Sequence, residues 1–451
     1  MAVKSSWVSI IAALVGMVLA LQVATSPAAA SESVTIIRAG VLLAEPGEPP
    51  ERNRTLVIRD GRIQSVLEGH GPVPEAPDAR IIDLSDYFVL PGLIDGHVHI
   101  TAEARPGGKL RGVEQTGADQ AMSGAMNARR TLLAGFTTVR DAAGFRGNDF
   151  DAVFALRDAI AAGKVAGPRL VVAGQGLTPT AGHGDFMGFR PDIMDLLAPA
   201  GICDGADDCR RTTRYMIKRG ADFIKIAVTG GVTSLIQTGL DQQMTDEEIR
   251  AIVATAHALG RKVAAHAHGV NGINAALSAG VDSIEHGTYM DDESIELFRE
   301  TGAYLVPTML ATRASAMRAA SDPGLPEEIR AKTAERPDEK AGQVRRAYEG
   351  GVRLAFGTDA AISPHGGNAE EFGLLVRAGI PPAYAIRMAT VHAADLLGLP
   401  EEVGRLRPGM AADIVAVRGN PLENIEVLED VRFVMKDGFV HRLEDTNYAI
   451  P

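Results

Sequence analysis

The chain has only two cysteines in 451 residues, Cys203 and Cys209. Two thiols are too few for a disulfide scaffold or a structural zinc site, although in an exported protein they can form one local disulfide across a turn. Positive charge is also short. The 45 Lys and Arg against 57 Asp and Glu leave a net charge of −12, which argues against nucleic acid and anionic membranes as partners. Beyond the first thirty residues no apolar run approaches membrane-spanning length. No G-x-G-x-x-G opens a helical stretch, which weakens a doubly wound dinucleotide-binding sheet.

What is present begins with a leader. Lys4 precedes an apolar run from Trp7 to Val23, followed by Ser26, Pro27 and the small residues Ala28, Ala29 and Ala30. This pattern predicts a secretory signal over residues 1–30, cleaved after Ala30. An uncleaved anchor is the alternative, because the run is nearly long enough to span a bilayer. The expected location is therefore periplasmic or secreted, with no membrane association once the signal is removed.

The rest of the chain divides by pattern. Val34–Arg38, Thr55–Arg59 and Arg62–Val66 are rich in β-branched residues, with Asp60-Gly61 as a hairpin signal. Ala412–Val417 and Val431–Met435, with Asp437-Gly438, answer them at the other end. A small β-sandwich built from residues 31–88 and 405–451 is expected. Between them, residues 89–404 alternate strand with helix. Eight candidate strands (Leu93–His99, Thr137–Arg140, Leu170–Ala173, Phe223–Ala227, Val263–His266, Ser283–His286, Tyr304–Val306 and Arg353–Asp359) over roughly 270 residues predict a TIM-type (β/α)8 barrel, an α/β fold. Helices are expected over Ala118–Leu133, Asp246–Leu259 and Asn271–Ala279. The charged, Ala-rich stretch Ala311–Tyr348 reads as a solvated helical crossover. The long loop Thr178–Arg210, after the third strand, is a candidate lid or substrate wall.

The strand ends carry the chemistry. His97 and His99 close the first strand, and residues two apart on a strand point the same way. Alone, such a pair can be two ordinary strand histidines. Here Lys225, His266, His286 and Asp359 fall at the ends of the fourth, fifth, sixth and eighth strands, and in a barrel those ends share one mouth. Imidazole and carboxylate suit a zinc-like ion. Lys225 lies in a strand built for burial, where a bare ammonium is costly. It is either paired, with Asp222 or Asp359, or a neutral amine that takes up CO2 as a carbamate bridging two metals. His268, two residues after His266, is an equal candidate ligand on spacing.

Several motifs together resemble the amidohydrolase superfamily, in the branch of Xaa-Pro, Xaa-Arg and Xaa-Lys dipeptidases and ochratoxin amidases. They are Pro91-Gly-Leu-Ile-Asp-Gly-His-Val-His, Gly220-Ala-Asp-Phe-Ile-Lys-Ile, Val263-Ala-Ala-His-Ala-His-Gly, Ser283-Ile-Glu-His-Gly and Phe356-Gly-Thr-Asp-Ala, with Ala389-Thr-Val-His-Ala-Ala-Asp and Gly404-Arg-Leu-Arg-Pro-Gly-Met near the C-terminus. The resemblance implies a centre of two divalent ions, zinc by type. His97, His99 and Asp359 would hold one ion, His266 and His286 the other, and carboxylated Lys225 (N6-carboxylysine) would bridge them with a hydroxide. Asp359 would be the general base and then acid, and His268 would contact the scissile carbonyl. His183, Tyr289 and Arg140 are candidate substrate contacts, with Arg140 and Asp141 also able to brace the ligands.

The implied reaction is amide hydrolysis of dipeptides or N-acyl amino acids, in a homo-oligomer that the resemblance makes an octamer. One-metal deaminases generally lack the fourth-strand lysine. Cyclic-amide hydrolases of the imidazolonepropionase or dihydroorotase kind can keep it and stay open as an alternative. A non-catalytic barrel scaffold is the remaining reading, although no ligand position has been lost.

Overall fold

The computed structural model describes residues 34–448, apart from 75, 77, 104–110, 145–149, 233, 235–238, 323, 334–335 and 445. The expected signal over residues 1–30 lies outside the described residues. Among the described residues no helix is long and apolar enough to cross a membrane.

Four N-terminal strands, β1 (Val34–Leu42), β2 (Glu51–Arg59), β3 (Arg62–Glu68) and β4 (Arg80–Pro91), form one sheet with strands from the far end of the chain. Eight strands follow in the middle of the sequence: β5 (Leu93–Val98), β6 (Phe136–Asp141), β7 (Arg169–Val172), β8 (Ile224–Ala227), β9 (Val263–Ala267), β10 (Ser283–His286), β11 (Tyr304–Val306) and β12 (Arg353–Leu354). The chain ends in β13 (Ile414–Val417), β14 (Val431–Lys436), β15 (Phe439–Leu443) and β16 (Thr446–Asn447).

In the terminal sheet the order is β16-β15-β14-β13-β4-β1-β2-β3. β13 runs antiparallel to β4 with Ile414 opposite Pro91, while β1 runs parallel to β4. Apolar residues on these strands, among them Ile37, Leu56, Leu84, Ile414 and Phe433, bury a core separate from that of the barrel. The sheet curls back on itself, since Arg62 in β3 bridges Ala411 just before β13. The result is the sandwich-like unit expected from both termini. Arg169 of β7 ties it to the barrel, with Asp413 2.8 Å away and Asp437 on its other side.

The barrel strands are parallel and lie in two arcs, β5-β6-β7 and β12-β11-β10-β9-β8. Two seams close them into a ring: Val98 bridges Ala360, and Leu177 bridges Ile226. Both seams carry site residues. The Asp359 N–H donates to the His97 carbonyl at 2.7 Å, and the Leu177 N–H donates to the Lys225 carbonyl at 2.8 Å. At the junction with the sheet, a Cβ on Gly92 would lie 2.1 Å from Thr137 Oγ1, so only glycine lets β4 turn into β5 against β6.

The expected helices form at Gly117–Leu133, Asp246–Ala258 and Val270–Ser278. Thr116 with Asp119, and Thr245 with Glu248, make reciprocal capping boxes at the first two. Two expectations need correction. The eighth strand is regular only over Arg353–Leu354, because Asp359 has a left-handed φ of 56° that a ladder cannot carry. The stretch from Ala311 to Tyr348 is helical, over Met309–Ser321, Glu327–Thr333 and Arg336–Glu349. It is not wholly solvated, because Lys340, Val344 and Ala347 are buried against the barrel. After β7, Cys203 is joined by a disulfide to Cys209 in the first turn of the helix Ala206–Arg219.

Candidate metal centre

The imidazoles and carboxylate gather at the C-terminal ends of the barrel strands in two groups. His97, His99 and Asp359 form one, with mutual donor separations within 4.8 Å, and His266, His268 and His286 form the other on the same criterion. The groups adjoin: the rings of His97 and His286 are 5.2 Å apart.

In the first group the ring nitrogens divide their work. His97 Nδ1 donates to Glu285 Oε2 at 2.7 Å, and His99 Nδ1 donates to the Ala143 carbonyl at 2.5 Å. Their Nε2 atoms face Asp359 Oδ1, at 3.8 Å from His97 and 3.2 Å from His99. Donation at Nδ1 fixes the tautomer whose Nε2 lone pair can bind a metal. Burial, with Lys225 adding to it, pulls the His97 imidazole down to about 4. It is therefore neutral and a competent ligand at neutral pH.

In the second group His266 donates from Nε2 to the Gly230 carbonyl at 3.3 Å, which leaves Nδ1 as its ligand atom. His268 Nδ1 pairs with Thr288 Oγ1 at 2.7 Å and His286 Nδ1 with Thr308 Oγ1 at 2.8 Å. Burial, and after it the neighbouring histidines, hold the His266 and His286 rings well below the ordinary imidazole range. The third member, His268, joins this group as closely as the other two do.

Lys225 is fully buried, and among the described residues its Nζ has no hydrogen-bond partner. The expected pairing with Asp222 does not occur, because Asp222 instead accepts from Arg157 and from the Val172 N–H. Burial lowers the Lys225 amine to about 8. Its charge acts on His97, His99 and Asp359 of one group and on His266 and His286 of the other. An orphaned amine within electrostatic reach of both groups is a fitting position for a bridging carbamate, and the donor sets on either side fit borderline divalent ions.

The other candidates are distributed as follows. His183 reaches the site: its ring stacks on His266 with centroids 4.1 Å apart, and its Nδ1 pairs with Ser234 Oγ at 2.5 Å. A Cβ on Gly231 would lie 2.2 Å from the His183 ring, so that glycine makes room for it. Tyr289 is half-buried just past His286, and its N–H donates to the His268 carbonyl at 2.9 Å. Arg140 is not at the mouth. It is buried beneath the ligands, donating to the Gly96 carbonyl at 2.6 Å, to Ser283 Oγ at 3.3 Å and to Glu285 at 2.7 Å. With its guanidinium engaged in this way it braces the site, and the substrate-contact reading is corrected. Asp141 likewise supports the loop, accepting from the Ile100 and Ala143 N–H groups.

Several supporting residues were not anticipated. Glu285 links His97 to Arg140. Burial opposes its ionisation, but Arg140 and His97 outweigh burial and hold the carboxylate well below its usual range. Its presence in a wholly buried strand was the signal that could have found it. Thr288 and Thr308 gave no such signal.

A profile of the amidohydrolase family matches residues 88–440. The chain belongs to the amidohydrolase family. This amidohydrolase is 35% identical over 421 residues to the ochratoxinase of Aspergillus niger, covering 89% of this chain and 84% of the relative. Among solved structures, a Xaa-Pro dipeptidase with methionine in its active site is 38% identical with a TM-score of 0.83, over 91% of this chain and all of that one. A prolidase complexed with N-methylphosphonate-L-proline is 31% identical with a TM-score of 0.81 at the same coverage. The chain is thus a metal-dependent hydrolase of C–N bonds with two His-rich metal groups, and the scaffold reading falls.

Proposed function

We propose that this amidohydrolase cleaves the amide bond of dipeptides or N-acyl amino acids at a binuclear zinc centre. The observation that carries the reading is the buried Lys225 Nζ, without a hydrogen-bond partner among the described residues and within electrostatic reach of both histidine groups. His97, His99 and Asp359 would hold one ion, His266 and His286 the other, and Lys225 as a carbamate would join them. Bound there, two such ions polarise an amide carbonyl and acidify a water molecule.

The chain's own groups do the rest. Asp359 takes a proton at its carboxylate and returns one to the leaving amine. His268, its Nδ1 held by Thr288, turns Nε2 to the scissile carbonyl. His183, stacked on His266, lines the substrate side. Arg140 and Glu285 keep His97 in the ligating tautomer.

The substrate class draws its support from the relatives, whose bound molecules are an amino acid and a proline phosphonate. A relative named imidazolonepropionase is 28% identical, and no feature of the site favours the cyclic-amide alternative over the linear one. The test is a screen of Xaa-Pro, Xaa-Arg, Xaa-Phe and N-aroyl amino acids with metal analysis of the same preparation. Turnover of at least one class with two ions per chain is expected; a preparation with two ions and no turnover of any class sinks the substrate reading.

We also infer export, supported by the leader sequence and by the Cys203–Cys209 disulfide, and assembly as an octamer. N-terminal sequencing of the exported protein, expected to begin at Ser31, and its mass in solution test these two.

A further inference from the structure

Next to the backbone of His286 lies a buried Lys–Glu arrangement that the proposed reaction does not use. Lys340, on the helix Arg336–Glu349, is 1% exposed, and its Nζ donates to the His286 carbonyl. Glu371, at the start of the helix Glu370–Arg377, is wholly buried. Its two carboxylate oxygens accept from the Met309 N–H at 2.9 Å and the Leu310 N–H at 2.6 Å. Those two N–H groups open the helix that follows Thr308, the residue whose Oγ1 meets His286 Nδ1 at 2.8 Å.

His286 and Thr308 both have left-handed backbones, with φ of 72° and 51°. That conformation is disfavoured for any L residue and most for a β-branched one, and it persists only where the surroundings over-determine it. Here Lys340 fixes the His286 carbonyl, Thr308 fixes its ring, and Glu371 fixes the backbone just after Thr308.

We propose that Lys340 and Glu371 are positioning residues that set the ligating geometry of His286 and thereby the affinity of the His266/His286 ion. Neither touches substrate or metal. The inference rests on the proposed reading of His286 as a ligand. It predicts a selective effect, because among the described residues the hydrogen bonds of Lys340 and Glu371 go to the His286 carbonyl and the Met309 and Leu310 N–H groups, not to His97, His99 or Asp359.

The experiment is release of zinc from the metal-loaded full-length protein to a competing chelator, counted per chain. Wild type is expected to release two ions in resolvable steps, and His286→Ala marks the step that belongs to its ion. In Lys340→Met the same step should be weakened about 10- to 100-fold, the usual range for the outer partners of metal ligands. The other step should move less than about twofold, and Lys340→Arg, which keeps a donor, should recover most of the loss. Glu371→Gln should weaken the same step and serves as the test if Lys340→Met does not fold. A folded variant that is less thermostable yet releases both ions as wild type does overturns the inference. A wild type that holds fewer than two ions instead overturns the binuclear reading on which it rests.

Discussion

Glu285 holds His97 and Arg140 at once, with Oε2 2.7 Å from His97 Nδ1 and Oε1 2.7 Å from the Arg140 guanidinium. Both oxygens are buried, so the carboxylate is the hinge between a ligand and the barrel interior. Glu285→Gln keeps the shape but loses the charge that steadies the Nδ1-protonated tautomer. It should weaken metal binding about 10- to 100-fold, and Glu285→Ala, which strands the Arg140 charge, should cost about 3–5 kcal/mol of stability. Metal content after dialysis and denaturant unfolding check the two halves.

Lys225→Ala should abolish turnover and reduce bound metal below two ions per chain. Carbon-13 labelled bicarbonate added to stripped wild-type protein with zinc should give a carbamate signal absent from the variant. An active Lys225→Ala enzyme would refute the bridge.

His268 is the point at which the site's geometry admits two roles, since it lies in one group with His266 and His286. As a substrate contact, His268→Asn should lower kcat while two ions stay bound. Loss of one ion on that substitution would make His268 a ligand and move the carbonyl contact elsewhere.

The imidazole of His392 sits away from the metal groups, its Nδ1 2.8 Å from the Leu354 carbonyl and its ring against Tyr384. Burial lowers it from 6.5 to about 4. Between those values the unfolded chain binds the proton and the folded chain does not. The stability it contributes is therefore complete above about pH 6.5 and lost as pH falls through about 4. His392→Gln should flatten the fall of thermal midpoint across that window, measured against wild type at each pH.

Arg169 pairs with Asp413 and Asp437 where the barrel meets the terminal sheet. Arg169→Met leaves the buried Asp413 without its cation and should cost about 3 kcal/mol. Because the pair lies far from the mouth, kcat should be unchanged; a fall in kcat at full occupancy by metal would show that the domain junction reaches the site.

The residues of the two His-rich groups were legible in the sequence because strand alternation is local. His97 with His99, His266 and His286 each announce themselves at the end of a short apolar run. Glu285 was open to the argument that singled out Lys225, a charge within a strand built for burial. Lys340 and Glu371 were not. They meet the site across 54 residues for Lys340 and His286, and 62 for Glu371 and Met309, and a charged, Ala-rich helix reads as solvated until its neighbours are known. Arg140 misled for the opposite reason: the end of a barrel strand suggests the mouth, but side chains there alternate, and this one turns inward to Glu285.

β4 has a consequence for how the protein comes into being. It lies between β1 and β13 and is separated by a single glycine from the first barrel strand. During vectorial synthesis its outer edge stays unpaired until residues 414–417 leave the ribosome, more than three hundred residues later. A nascent chain of this kind carries an open edge through most of its elongation. The last strand set to be made is the one that seals the first.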